Sequence, residues 1–149
     1  MEESIDGVSE SAVQAARELR VVVSRLRRRL REVYETRELT PSQTAVLSRL
    51  DKGGPASTSD LAAAERVRPQ SMASILTGLD KLGLIERRAD PDDGRRQLVS
   101  PSRAGHELLD DGRRAGSEWL TRAMEDRLDE AERRTVIEAM ALLERLVTP

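Results

Sequence analysis

Four arginines crowd around one short turn. Arg87 and Arg88 precede, and Arg95 and Arg96 follow, the segment Ala89-Asp90-Pro91-Asp92-Asp93-Gly94, which is rich in turn formers. The flanking runs Leu84-Ile85-Glu86-Arg87 and Gln97-Leu98-Val99 are β-prone, so the pattern predicts a hairpin over 84–99 with a cationic tip. A guanidinium presented in this way has the size and charge to enter the narrow, electronegative minor groove of a DNA duplex, where groove width is read instead of base identity. Asp93 stands two residues before Arg95, close enough in the chain to orient its guanidinium. A turn that serves only solubility has no need of four arginines.

Directly upstream, Met72, Ile75, Leu76, Leu79 and Leu82 recur at helical spacing, which predicts a helix over 69–82 with that stripe turned inward. Its outer face then carries Gln70, Ser71, Ser74, Thr77 and Gly78, preceded by Arg68. Short polar side chains at a helix N-terminus can approach base edges in the major groove, and Gln can pair bidentately with adenine. An ordinary amphipathic helix has the same outward pattern. The arginine hairpin that follows at once is what favours a recognition helix.

These two segments need a scaffold, and its punctuation is explicit. Apolar residues from Leu19 to Val33 mark a first helix over about 9–35. Thr40-Pro41-Ser42-Gln43 supplies a cap, a first-turn proline and a reciprocal glutamine for a second helix, which Lys52-Gly53-Gly54-Pro55 ends. Ser57 and Asp60 open a short third helix from Thr58 to Glu65, and a tight break leads to Pro69. Two helices joined by so short a connection are the skeleton of a helix-turn-helix. Gly83 stops the fourth helix as a left-handed cap, Ser102 starts a fifth, and Asp129-Glu130-Ala131-Glu132 starts a last one whose apolar face holds Val136, Ile137, Met140, Leu143 and Val147. The first eight residues and the last two carry no such pattern and read as disordered tails.

Composition closes off other chemistries. There is no cysteine and one histidine, so disulfides, thiolate nucleophiles, zinc-finger ligand sets and multi-histidine metal sites are excluded, and no cofactor is implied. His106 follows a helix start with no Ser or Asp constellation beside it, and reads as a surface residue, not a catalytic base. No nucleophile–base pair or phosphate-cradling glycine loop is present, which argues against an enzyme. Phe is absent and Tyr34 and Trp119 are the only aromatics, so the core must be aliphatic, which suits helices better than a β-sandwich. No apolar run reaches the ~20 residues of a membrane span, and the acidic N-terminus is unlike a secretory signal, so a cytoplasmic protein is expected. Charge is uneven: residues 66–106 hold 8 basic and 5 acidic groups, whereas 107–149 hold 7 and 11. The run from Arg25 to Arg31 lies on an amphipathic helix and reads as a solvated or salt-bridged face.

Taken in order, certain segments resemble the MarR family of bacterial regulators. They are Leu39-Thr40-Pro41-x-Gln43-x-x-Val46-Leu47, Ser57-x-x-Asp60-Leu61-Ala62, Leu79-x-x-x-Gly83-Leu84-Ile85-x-Arg87, and Asp90-Pro91-Asp92-Asp93-Gly94-Arg95-Arg96 into Ser102-x-x-Gly105. The resemblance spans nearly the whole chain. It implies a mainly α protein with a small β-hairpin wing: a single winged helix-turn-helix domain over 1–149, with a DNA-binding lobe at 40–101 and its wing at 84–99. Helices from both termini, at 9–36 and 103–147, would form the dimerisation region. It further implies that Gln70, Ser71, Ser74 and Thr77 face the major groove, and that Arg95 is the wing-tip residue with Asp93 as its orienting partner. Ser74, Gly78 and Pro101-Ser102 depart from the family's usual residues.

The expected activity is sequence-specific binding of a pseudo-palindromic double-stranded DNA operator by a homodimer. The dimer would act as a repressor released by a small-molecule effector, held where lobe and dimer region meet. Tyr34 and Trp119 are candidates for lining that pocket, although a lone aromatic on an apolar helix face more often packs, the reading favoured for Trp119. The competing class is a winged-helix module that binds protein and not DNA.

Overall fold

Helix starts follow the caps written in the sequence. A computed structural model describes residues 7–34 and 39–148, the side chain of Tyr34 excepted, so most of the two expected tails (1–6 and 149) lies outside the described residues. The elements are α1 (Glu10–Tyr34), α2 (Pro41–Gly53), α3 (Thr58–Glu65), α4 (Pro69–Lys81), β1 (Ile85–Ala89), β2 (Gln97–Pro101), α5 (Arg103–Arg127) and α6 (Glu130–Val147). At α2 the Thr40 hydroxyl accepts the Gln43 N–H while the Gln43 side chain accepts the Thr40 N–H, and Asp129 and Glu132 repeat this exchange at α6. Ser57 caps α3 by accepting the Asp60 N–H at 3.2 Å. The fold is mainly helical with one antiparallel hairpin, as expected.

The chain forms two compact units. The lobe runs from α2 through Ala115 in α5, and the other unit comprises α1 and the chain from Gly116 onward. In the lobe, Val46, Leu47 and Leu50 of α2, Leu61 and Ala62 of α3, and Met72, Leu76 and Leu79 of α4 are buried with Leu84, Ile85 and Val99. The core is aliphatic, as the composition requires. The hairpin pairs Ile85 with Pro101, Arg87 with Val99 and Ala89 with Gln97. Ala56 extends it through two backbone hydrogen bonds with Val99, which ties the wing to the segment entering α3.

Leu82 departs from expectation, being 45% exposed. Gly83, at φ +70°, ends α4 with a left-handed turn, and the turn carries Leu84 into the core in its place. Gly78 departs too. It is half-buried, facing the side chain of Gln43, so it belongs to the α2–α4 contact and not to the outer face. Ser102 closes the lobe by accepting the Gly105 N–H at 3.1 Å and donating to the Gly83 carbonyl at 2.6 Å.

The second unit differs in kind. Every buried hydrophobic residue among those described lies in the lobe. On α6 no residue is buried, and Ile137, Met140, Leu142, Leu146 and Val147 are all more than half exposed. On α1, Val21, Val22 and Val23 are likewise exposed, including two that the sequence pattern places on its apolar face.

Candidate nucleic-acid interface

Helix α4 begins without a side-chain cap. Arg68 holds the cap position in extended backbone, Pro69 takes the first turn, and the Met72 N–H reaches back to the Arg68 carbonyl at 3.0 Å. Gln70, Ser71, Ser74 and Thr77 are exposed beyond it. The Thr77 hydroxyl donates to the Ala73 carbonyl at 2.9 Å, as a helical threonine commonly does. Gln70, Ser71 and Ser74 make no side-chain hydrogen bond among the described residues, so their polar groups are available to a ligand.

The four hairpin arginines divide into two pairs. Arg87 is held by Asp80 at the end of α4, at 2.8 and 2.9 Å. Arg96 turns back onto the start of α3, donating to Ser57 Oγ at 2.9 Å and Asp60 Oδ2 at 2.7 Å, with Asp90 at 3.9 Å. The Ser57 hydroxyl, followed by the Arg96 charge, holds the Asp60 carboxyl below its ordinary pKa. Arg88 and Arg95 are exposed and have no ion pair among the described residues. The hairpin is thus fastened to α3 and α4 by one arginine each, and two remain for an external anion.

The turn itself is organised by its aspartates. Asp90 Oδ1 accepts the Asp92 N–H at 2.9 Å, and Asp93 Oδ1 accepts the Arg95 N–H at 3.0 Å. Asp93 therefore sets the backbone of Arg95 and does not grip its guanidinium as the sequence suggested. An aspartate two residues ahead reaches the nearby amide in an Asx turn, whereas the guanidinium extends away from it.

The family model described as "MarR family" matches residues 39–96, from the start of α2 to the end of the wing turn. An uncharacterised HTH-type transcriptional regulator of Mycobacterium bovis is 36% identical over 138 residues, covering 93% of this chain and 96% of the relative. The chain belongs to the MarR family. It is a DNA-binding transcriptional regulator. A regulator of Mycobacterium leprae is 39% identical over 111 residues, or 74% of this chain and 78% of its own. Among solved structures, a transcriptional regulator from Pseudomonas aeruginosa aligns with TM-score 0.76 and 40% identity, covering 95% of this chain and 99% of that one. MepR of S. aureus, solved bound to an oligodeoxyribonucleotide, shares the fold at TM-score 0.68 and 18% identity, covering 90% and 98%.

In this MarR-family chain the remaining singled-out residues fall into place separately. Trp119 is half-buried in α5, and the Arg29 guanidinium of α1 lies 5.9 Å from its ring centroid, within cation–π range. Arg29 also pairs with Glu32 at 2.7 Å, a salt-bridged α1 face as expected. The side chain of Tyr34 lies outside the described residues.

His106 has an acidic partner that the sequence did not reveal. Its Nδ1 lies 2.8 Å from Asp51 Oδ1, and Arg113, two turns further along α5, pairs with the other oxygen of the same carboxylate. Asp51 is 55 residues from His106 in sequence, so no local pattern could have linked them. No nucleophile among the described residues hydrogen-bonds to His106 or Asp51, and His106 is exposed. Arg113, and after it His106, lower the Asp51 pKa against the opposing effect of burial. A carboxyl with a depressed folded-state pKa stabilises the fold above its ordinary value, and the contribution disappears as pH falls through the lowered one. Asp51→Asn is accordingly expected to lower the urea midpoint at neutral pH and to converge with wild type as the pH falls below the ordinary carboxylate range. Parallel pH curves for the two proteins would contradict this role.

Proposed function

We propose that two copies pair through α1, α6 and the second half of α5, and that the pair represses transcription at a pseudo-palindromic operator until a small molecule releases it. The observation that carries the reading is the coincidence, on one lobe, of an uncapped α4 with unengaged Gln70, Ser71 and Ser74 and a fastened hairpin with unengaged Arg88 and Arg95. In this reading Gln70, Ser71, Ser74 and Thr77 face base edges in the major groove, and Arg68 approaches the phosphates. Arg95 enters the minor groove, Arg88 sits at its margin, and Arg87, Arg96 and Asp93 position the hairpin.

The exposed apolar face of α6 supports pairing, as does a groove of about 330 Å³ between α5 and α6, lined by Thr121, Met124, Glu125, Arg133, Val136 and Ile137. Twofold pairing would set the α4 helices about 34 Å apart, one turn of DNA. A small molecule acts as inducer when it binds a different spacing more tightly than the DNA-bound one. Tyr34 and Trp119 are the candidates for lining that ligand's pocket, with packing the reading favoured for Trp119, and the fluorescence of Trp119, the sole tryptophan, would show whether a ligand reaches it. We assign the protein to the cytoplasm and give it no catalytic role; no helix among the described residues is long and apolar enough to cross a membrane.

Arg95→Ala tests the wing. Operator affinity is expected to fall by about 1–3 kcal/mol while the dimer stays intact by sedimentation. Unchanged affinity would remove Arg95 from the interface.

A further inference from the structure

Two helices of the lobe end in the same way with different residues. At the end of α4 the Gly83 N–H donates to the Asp80 carbonyl at 2.9 Å and the Leu84 N–H to the Leu79 carbonyl at 3.1 Å. At the end of α3 the Arg66 N–H donates to the Ala63 carbonyl at 3.2 Å and the Val67 N–H to the Ala62 carbonyl at 3.0 Å. Both are Schellman endings, whose first residue past the helix must take left-handed backbone. Gly83 does so at φ +70° without steric cost. Arg66 does so at φ +55°, ψ +42°, and is the only non-glycine with positive φ among the described residues.

An L side chain in this conformation is strained against its own backbone, and arginine lacks the local hydrogen bonding that helps Asn or Asp tolerate it. Two backbone hydrogen bonds close the ending as they do at Gly83, but among the described residues no side-chain contact of Arg66 offsets its strain. Arg66 is exposed and has no ion pair or side-chain hydrogen bond among the described residues. It does, however, occupy the turn of the helix-turn-helix, two residues before Arg68 at the start of α4. Strain retained at an exposed cation, where the same chain uses glycine for the same turn elsewhere, points to a ligand outside the folded chain.

We propose that Arg66 is a phosphate-contacting residue of the DNA interface, with its side chain kept at the expense of lobe stability. The contact neutralises a backbone phosphate beside the major groove entered by α4, so it sets affinity and register and does not read sequence. The inference rests on the dimeric DNA-binding reading above.

Arg66→Gly separates binding from stability because it should move them differently. The thermal midpoint of the full-length protein is expected to hold or rise. Affinity for the duplex that wild type selects from a random pool should fall about tenfold, and affinity for an arbitrary 30-base-pair duplex in low salt should fall by a similar factor. The plot of log affinity against log salt should become shallower by about 1.8 for the two sites of a dimer. Arg66→Lys keeps both the strain and the charge, and should retain the wild-type slope and midpoint. A midpoint that falls in Arg66→Gly, an unchanged salt slope, or a slope lost equally in Arg66→Lys would each overturn the assignment. Failure of the wild-type protein to bind any duplex would instead overturn the reading on which it depends.

Discussion

A chain that stops after Arg127 should sediment as a monomer and lose about two to four orders of magnitude in affinity for a two-half-site duplex. Helix α6 has no buried residue, yet it carries five large apolar side chains that are each more than half exposed. Covering them is worth on the order of 5–10 kcal/mol per subunit, and twice that for a symmetric pair. Association costs about 4–15 kcal/mol, so both copies of α6 are needed to leave a surplus. The isolated lobe retains the whole buried core, and single half-site binding should survive in weakened form. A truncated protein that still dimerises would show that α1 and α5 suffice, and would remove α6 from the interface.

Gly105→Ala should destabilise the lobe by about 2 kcal/mol, and the sign is informative. A helical glycine replaced by alanine ordinarily gains about 1 kcal/mol. At Gly105 the added Cβ would stand 2.2 Å from the Leu84 carbonyl oxygen and 3.4 Å from Leu47 Cδ1, and the carbonyl is backbone already bonded to the Ser102 N–H. Relieving that overlap must move α5 away from the start of β1, at a cost of about 3 kcal/mol, so the clash outweighs the propensity. Gly78 supplies the control. Its added Cβ would meet the end of the flexible Gln43 side chain at 2.4 Å, and that side chain can swing aside. Gly78→Ala should therefore be near neutral in a denaturant titration that shows Gly105→Ala clearly shifted; equal effects would contradict the steric account.

The contrast between these glycines shows where sequence reading succeeded. Interactions spanning three or four residues were legible because their chemistry is local: the capping boxes at Thr40 and Asp129, the left-handed stop at Gly83, the cap at Ser102. The hairpin was legible from its turn formers, and the outer face of α4 from the period of Met72, Leu76 and Leu79. What escaped depends on contacts between distant segments. Arg96 meets Asp60 across 36 residues, and Arg113 meets Asp51 across 62. Side-chain type could not separate pinned from unengaged wing arginines, because all four are chemically alike. Gly78 looked outward by helical phase alone, and only the position of Gln43 on α2 shows otherwise. Arg66 was passed over because left-handed backbone is normally signalled by glycine, and here the signal is missing.

The confinement of the buried core to the lobe has a consequence for the fate of surplus copies. A lone molecule leaves the apolar side chains of α6 in water, and such exposure would mark an unpaired copy for quality-control proteases. In the proposed pair they would be covered. If pairing runs as proposed, abundance in the cell would be trimmed toward what can find a companion, so the level of working regulator would respond more steeply than linearly to its rate of synthesis.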